Sequence, residues 1–284
     1  YPIRFIFLTQ EIHKLIDTAI AIEGTPRHAS KHAAGVVITE KPVSEYVPLA
    51  KNDDAVVTQY TMTTLEELGL LKMDFLGLRN LTVIDDAEKM IKQRNPNYNP
   101  DDIDEKDKPV FKMLSQGNSE GVFQFESGGM KSVLTGLKPV DIEDLIAVIS
   151  LYRPGPMDSI PTFIQNRHHP ELITYKHPIL EDILKVTNGC IVYQEQVMEI
   201  CRKMAGYSYG QADLVRRAMG KKKADVMAAE RTHFINGAAE KGVSEQIAND
   251  IFDEMSSFAS YAFNKPHAAA YAYVAYQTAY LKAH

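Results

Sequence analysis

Lys72 and Asp74 stand two residues apart within Gly69-Leu-Leu-Lys-Met-Asp-Phe-Leu-Gly-Leu-Arg79. The stretch is short, mostly apolar and bounded by Gly69 and Gly77, which predicts a buried strand rather than a surface helix. Strand alternation then places Lys72 and Asp74 on one side and Leu71, Met73 and Phe75 on the other. A buried carboxylate needs a cation, a hydrogen-bond donor or a metal beside it. An internal Lys-Asp ion pair is the simpler reading of these residues alone, ahead of a metal site.

Other residues with chemical potential are scattered along the chain. His28 and His32, four apart, would share one face of a helix and suit zinc. No Glu follows the first His and no third ligand is evident, so a structural helix leading into a Gly35-Val-Val-Ile38 strand is expected. Arg216 and Arg217 lie about 100° apart around a helix axis, with Lys221, Lys222 and Lys223 just beyond. They form either a solvated basic face or a phosphate grip. Gly220-Lys221 is not a P-loop, because neither the upstream glycine nor a following Ser or Thr is present. Arg153 sits on a Pro-Gly-Pro turn predicted to be exposed. Asn264-Lys-Pro-His267 opens a last helix in which Tyr271 and Tyr273 can stack on a base or simply pack.

The totals bound these readings. A chain of 284 residues, 45% hydrophobic and 24% charged, holds one large or two ordinary domains with a real core. No apolar run reaches membrane-spanning length. Ile3-Arg-Phe-Ile-Phe-Leu8 is too short for a signal peptide's layout, and no small-residue cleavage site follows. Two cysteines, Cys190 and Cys201, exclude a disulfide framework or a four-Cys zinc site and suit a reducing cytoplasm. The net charge of −6 does not exclude nucleic acid, because clustering of cations matters more than their sum. Acid concentrates in Asp101-Asp-Ile-Asp-Glu-Lys-Asp107, away from the Arg216–Lys223 cluster.

The elements that would carry these residues change character along the chain. A helix over much of 1–29, strands at Gly35–Ile38 and Ala55–Tyr60, a turn at Asn52-Asp-Asp54 and a short capped helix at Thr63–Leu68 precede the Asp74 strand. That is a small α/β unit, and a sheet is a rigid support for a functional carboxylate. Pro42–Pro48 is a loop or edge strand. From Leu81 onward the pattern is almost wholly helical, with Asp141 as an N-cap and Gly220 expected to stop a helix that starts at Ser208. Val122-Phe-Gln-Phe125 reads as a brief extended piece.

Several blocks resemble one family. Arg27-His-Ala-Ser-Lys-His-Ala-Ala-Gly-Val-Val-Ile38, Val57-Thr-Gln-Tyr60 and Leu70–Arg79 are followed by Val122-Phe-Gln-Phe-Glu126, Tyr152-Arg-Pro-Gly-Pro-Met157 and Tyr193-Gln-Glu-Gln-Val-Met198. Leu214-Val-Arg-Arg-Ala-Met-Gly-Lys-Lys-Lys223 and Phe263-Asn-Lys-Pro-His267 complete the set. In order and wording they resemble the bacterial C-family replicative polymerases, the DNA polymerase III alpha subunits.

The resemblance implies an α+β fold: a small mixed palm sheet of the polymerase beta-like nucleotidyltransferase type, here incomplete, followed by a large mainly helical fingers domain. It assigns 1–28 to the end of the thumb, 29–79 to the second part of the palm and 80–284 to the fingers. It makes Asp74 the third catalytic aspartate, a Mg²⁺ ligand in a two-metal site, with Lys72 beside it. It gives Arg216, Arg217, Lys221, Lys222, Lys265 and His267 to nucleotide or phosphate, and Arg153 and Asn264 to DNA. The implied partners are primer-template DNA, deoxynucleoside triphosphates and other replisome subunits, including the sliding clamp through regions outside this chain. The family's Asp-x-Asp pair lies upstream of its counterpart to Arg27 and has no match here, so the chain by itself is expected to be inactive. Two rivals predict otherwise. A non-catalytic nucleic-acid-binding module predicts a dispensable Asp74, and a hydrolase built on His28, His32 and Asp74 predicts bound zinc.

Overall fold

A computed structural model describes residues 10–25, 30–221, 224–259 and 261–284, with the backbone alone for 220, 221, 224–226 and 259. The chain divides into two compact units, Tyr1–Gly77 and Leu78–His284.

The first unit contains helix α1 (Gln10–Ile22), strands β1 (Gly35–Ile38), β2 (Leu49–Asn52) and β3 (Ala55–Thr58), helix α2 (Met62–Glu67) and strand β4 (Leu71–Asp74). The strands form two separate antiparallel ribbons, β1 with β4 and β2 with β3, in place of one mixed sheet. The β2–β3 hairpin turns at Asp53, whose φ of 51° is left-handed, a conformation that Asp tolerates better than most side chains. The short helix at α2 starts at Met62. Its N-cap Thr61 makes no capping bond to the backbone and instead contacts the Thr63 and Thr64 hydroxyls at 3.2 and 3.1 Å.

Gly69 decides where β4 begins. Its amide bonds to Glu66 O at 2.9 Å and the Leu70 amide to Leu65 O at 3.0 Å. With φ of 74° at Gly69, this is a Schellman ending, which needs a residue free to turn left-handed. The chain leaves α2 and enters β4 directly. The strand is not buried as expected: Leu71 is 58%, Met73 45% and Phe75 65% exposed. Two strands alone cannot cover both of their faces, and an apolar run in the sequence does not reveal how many strands lie beside it.

The second unit is helical: α3 (Arg79–Arg94), α4 (Lys108–Ser115), α5 (Gly128–Leu137), α6 (Ile142–Leu151), α7 (Ile160–His168), α8 (Ile179–Leu184), α9 (Gln194–Ala205), α10 (Tyr209–Lys221), α11 (Ala224–Glu240), α12 (Glu245–Ala259) and α13 (Lys265–Ala283). Caps fix several starts. Asp107, Ser127 and Asp141 accept from the amides three residues on, at 2.9, 3.3 and 3.0 Å. α6 is buried from Asp144 to Leu151 and packs against α13. Along α13, Ala268, Ala272, Ala275 and Ala279 are fully buried at intervals of four, three and four, so methyl groups set the approach distance of its neighbours.

Two hydrophobic cores result. One joins α4 to α7 with α13; the other joins α8 to α12. Between them, Tyr193 pairs with Phe263 in a parallel bridge. Buried Gln196 ties the entry to α9: its Oε1 accepts from Val192 and Tyr193 amides at 2.8 and 2.9 Å, while Nε2 donates to Ile183 O and Thr187 Oγ1 at 3.2 and 2.7 Å. All four bonds of this amide are made, which is what its burial demands.

Two expectations fail locally. The Val122–Phe125 piece is a turn, with the Phe125 amide on Val122 O at 3.0 Å and Gln124 at φ 67°. Ser119 Oγ donates to Phe125 O at 2.6 Å and fixes the fold-back. Gly220 does not stop α10, which continues through Lys221. Glycine is a poor helix former but not a barrier when the following backbone stays helical.

Candidate active site

In the first unit, β1 and β4 bring four residues together. The register pairs Gly35 with Asp74 and Val37 with Lys72. Lys72 Nζ donates to Asp74 Oδ1 at 2.6 Å, as the alternation predicts. The lysine side chain is 15% exposed and the aspartate 41%, so the pair sits at a surface and is not internal. The Lys72 hydrogen bond, partly opposed by desolvation, holds the Asp74 carboxyl below the usual carboxylate range. The described hydrogen bonds engage Oδ1 and leave Oδ2 available.

His32 was expected on a helix with His28, but residues 30–34 are not helical, and His28 lies outside the described residues. His32 Nδ1 accepts the amides of Gly35 and Ala34 at 2.7 and 3.2 Å. That nitrogen therefore carries no proton, and its 3.8 Å approach to Asp74 Oδ1 is a packing contact rather than an ion pair. Gly35 is the residue that sequence reasoning missed. Its Cα hydrogens face Lys72, His32 and Asp74, leaving no room for a side chain. Beside Lys72 opens a cleft of about 950 Å³, lined also by Gly35, Val57, Tyr60, Thr61 and Leu65. Among the described residues no three His, Cys, Asp or Glu side chains group as metal ligands. Asp74 offers one hard oxygen donor, which fits magnesium's preference for few carboxylates, with water or phosphate filling its remaining positions.

In the second unit the predicted cations fall into two groups, and no hydrogen bond or ion pair among the described residues joins them. Arg153, Asn264, Lys265 and His267 gather at the start of α13. Arg153 is half-buried, not solvated on its turn. Nε donates to Ser150 O at 3.0 Å, Nη2 donates to Tyr261 O, and the guanidinium lies 4.3 Å over the Phe263 ring. Burial lowers its pKa. Asn264 caps α13 by accepting from the His267 amide at 3.1 Å, and Pro266 suits the first turn, where an amide has no helical partner.

Two acids unnoticed in the sequence hold this segment. Glu195 accepts from Asn264 Nδ2 at 2.8 Å and the Lys265 amide at 3.1 Å, placing a carboxylate at the positive end of α13. Glu143 meets Lys265 Nζ at 2.9 Å. The same ammonium lies 5.3 Å from the Tyr193 ring. His267 lies between Phe263 and Tyr271, with ring centroids at 5.5 and 4.6 Å, so Tyr271 packs rather than standing open.

The other group is on α10. Asp213 Oδ1 accepts from Arg216 Nε and Nη2 at 3.0 and 2.7 Å, and Oδ2 meets Arg217 Nε at 2.8 Å. The Arg216 hydrogen bond is the main reason that the Asp213 carboxyl titrates low. The spacing of three and four residues was legible in the sequence as helix-face pairing. Lys221 is described by its backbone alone, and Lys222 and Lys223 lie outside the described residues.

Comparison with known proteins covers both units. Residues 4–77 match the bacterial DNA polymerase III alpha NTPase domain, and residues 80–242 match the bacterial DNA polymerase III alpha subunit finger domain. DNA polymerase III subunit alpha of Borreliella burgdorferi is 51% identical over 280 residues, covering 98% of this chain and 24% of that protein. Its counterpart in Thermus aquaticus is 50% identical over 282 residues, covering 97% and 23%. That of Staphylococcus epidermidis is 47% identical over 281 residues, covering 99% and 26%. The chain thus spans about a quarter of the length of these relatives. Continuous likeness through both units, with a finger-domain match over more than half the residues, places this chain in the family of bacterial DNA polymerase III alpha subunits.

Proposed function

We propose that the chain is part of a DNA-directed DNA polymerase that adds deoxynucleotides to a primer 3′ end along a DNA template. Residues 1–28 would supply the end of the thumb, 29–79 the second part of the palm and 80–284 the fingers. The observation that carries the reading is the Lys72–Asp74 pair: a surface carboxylate on a paired strand, kept ionised by an ammonium at 2.6 Å, with one oxygen available.

Asp74 would be one ligand of a two-metal magnesium site whose other ligands lie outside this chain. Bound there, magnesium would activate the primer hydroxyl and neutralise charge on the transferred phosphoryl group. Lys72 holds Asp74 in register and presents a positive charge to phosphate at the cleft. Arg216 and Arg217 would take the triphosphate through the fork geometry that guanidinium offers, with Lys221 and Lys222 nearby in sequence. Lys265 and His267 would meet nucleotide or template phosphate, and Arg153 and Asn264 shape that segment for DNA. With a single catalytic carboxylate, this chain alone is expected not to extend a primer. Its full-length parent would work in the bacterial cytoplasm with other replisome subunits, the sliding clamp among them. Among the described residues no helix is long and apolar enough to cross a membrane.

Primer extension by the full-length parent, wild type against Asp74→Asn, tests the reading, with primer-template binding measured alongside. Extension should fall at least about a hundredfold while binding persists. Unchanged extension would reduce Asp74 to half of a structural ion pair, and the non-catalytic nucleic-acid-binding reading would replace this one.

A further inference from the structure

We propose that Asp213 is a positioning residue for the incoming triphosphate: one carboxylate, shared by Arg216 and Arg217, aims both guanidinium groups at a single polyphosphate. The inference rests on the reading that these arginines receive the nucleotide.

The geometry of α10 carries it. Arg216 and Arg217 are neighbours in sequence, so their side chains leave the helix about 100° apart and would diverge. Like charge drives them further apart. Asp213 lies one turn back between the two directions, on the N-terminal side, where long side chains of a helix lean. Its two oxygens are divided between them: Oδ1 takes the Nε–Nη2 edge of Arg216, and Oδ2 takes Nε of Arg217. The contact uses the Nε–Nη2 edge of Arg216 and Nε of Arg217. Nη1 of Arg216 and both terminal nitrogens of Arg217 have no partner among the described contacts. Arg216 is 20%, Asp213 29% and Arg217 65% exposed, so the carboxylate lies between a largely covered guanidinium and one that stands open to solvent. The carboxylate leaves one terminal nitrogen of Arg216 and both of Arg217 for a ligand.

Two effects of the carboxylate oppose each other. Its negative charge repels a triphosphate, but through water and salt at such a surface that costs roughly a few-fold in affinity. Against this, a flexible arginine loses much rotamer freedom when it grips a ligand, and holding two in place in advance is worth about tenfold or more. Alignment wins, and removal of Asp213 weakens nucleotide binding.

The test is steady-state nucleotide incorporation by the full-length polymerase, with deoxynucleoside triphosphate titrated and pyrophosphate as a product inhibitor. Asp213→Asn should raise KM about fivefold and weaken pyrophosphate inhibition in parallel, with kcat within about twofold and primer-template binding unchanged. Asp213→Glu keeps the charge and should restore most of the affinity. Asp213→Ser removes the same charge with a smaller side chain and decides by the same comparison if the Asn variant does not fold. Arg217→Ala serves as the control. If it raises KM while the Asp213 variants leave KM unchanged or lower it, Asp213 is only a helix-surface ion pair and the inference falls alone. If neither Arg217→Ala nor Arg216→Ala alters KM, the triphosphate reading fails and takes this inference with it.

Discussion

A Cβ added to Gly35 would lie 2.7 Å from Lys72 Cε, 2.9 Å from His32 Nδ1 and 3.0 Å from Asp74 Oδ1. The lysine methylene is the flexible part of that contact. The imidazole is not, because two backbone amides hold it. In the full-length parent, Gly35→Ala should therefore cut primer extension by roughly a hundredfold through an ångström-scale displacement of the carboxylate. Primer-template binding should stay near wild type; a variant with full extension rates would show that the carboxylate tolerates the shift. At this scale the sequence was informative wherever local periodicity suffices. Alternation alone put Lys72 and Asp74 on one side. It could not reveal Gly35, because that role depends on a register between strands separated by the whole β2–α2 excursion. Nor could it show Arg153 lying over Phe263, a contact between residues that only the tertiary fold brings near.

A helix start can be legible for the same local reason. Asp141 announces its helix by side-chain chemistry acting three residues away and caps as expected, and Ser127 caps α5 in the same way. What the caps do not announce is cross-helix bonding. Asp144, 6% exposed, accepts from the Val140 amide at 2.9 Å and takes both Nε and Nη2 of Arg167 from α7, at 3.1 and 3.3 Å. Asp144→Ala strands a half-buried guanidinium and an amide at once and should destabilise the helical unit by about 3 kcal/mol. Urea denaturation followed by circular dichroism measures this, and a loss below about 1 kcal/mol would place the pair with ordinary surface bridges. Elements governed by long-range packing were the ones misjudged. Val122–Phe125 has the composition of a strand, yet Ser119, the Gln124 conformation and the core around it make a turn.

Taken whole, the molecule carries 31 basic and 37 acidic side chains, and many of its cations are already engaged. Asp213 serves two arginines, Glu143 serves Lys265, and Glu195 caps the start of α13. A modest net negative charge is thus compatible with cationic groups presented in particular orientations, which composition cannot express. The α+β character and its order, a small strand-bearing region before a large helical one, were readable because hydrophobic period changes near Leu78. The exposure of β4 was not, because it depends on how many strands lie beside it. Burial also governs the two thiols. It pushes Cys190 up to about 11 and Cys201 up to about 12, with neighbouring acids adding to the rise. At pH 8 the Cys190 thiolate is then about one part in a thousand. Iodoacetamide at that pH should leave both cysteines unmodified in the folded chain and alkylate both in urea, as read by intact mass. Rapid labelling without denaturant would contradict this packing.

The alanine stripe of α13 makes that helix a spacer whose gauge is one methyl group. Replacement along it is filtered by volume rather than polarity. Glycine or serine nearly preserves the gauge, whereas valine or leucine, exchanges that a hydrophobicity table treats as conservative, wedges the shaft away from α6. The head of the same shaft carries Asn264, Lys265 and His267. Genetic drift at four of the smallest side chains in the protein is therefore constrained by the alignment of some of its largest polar ones.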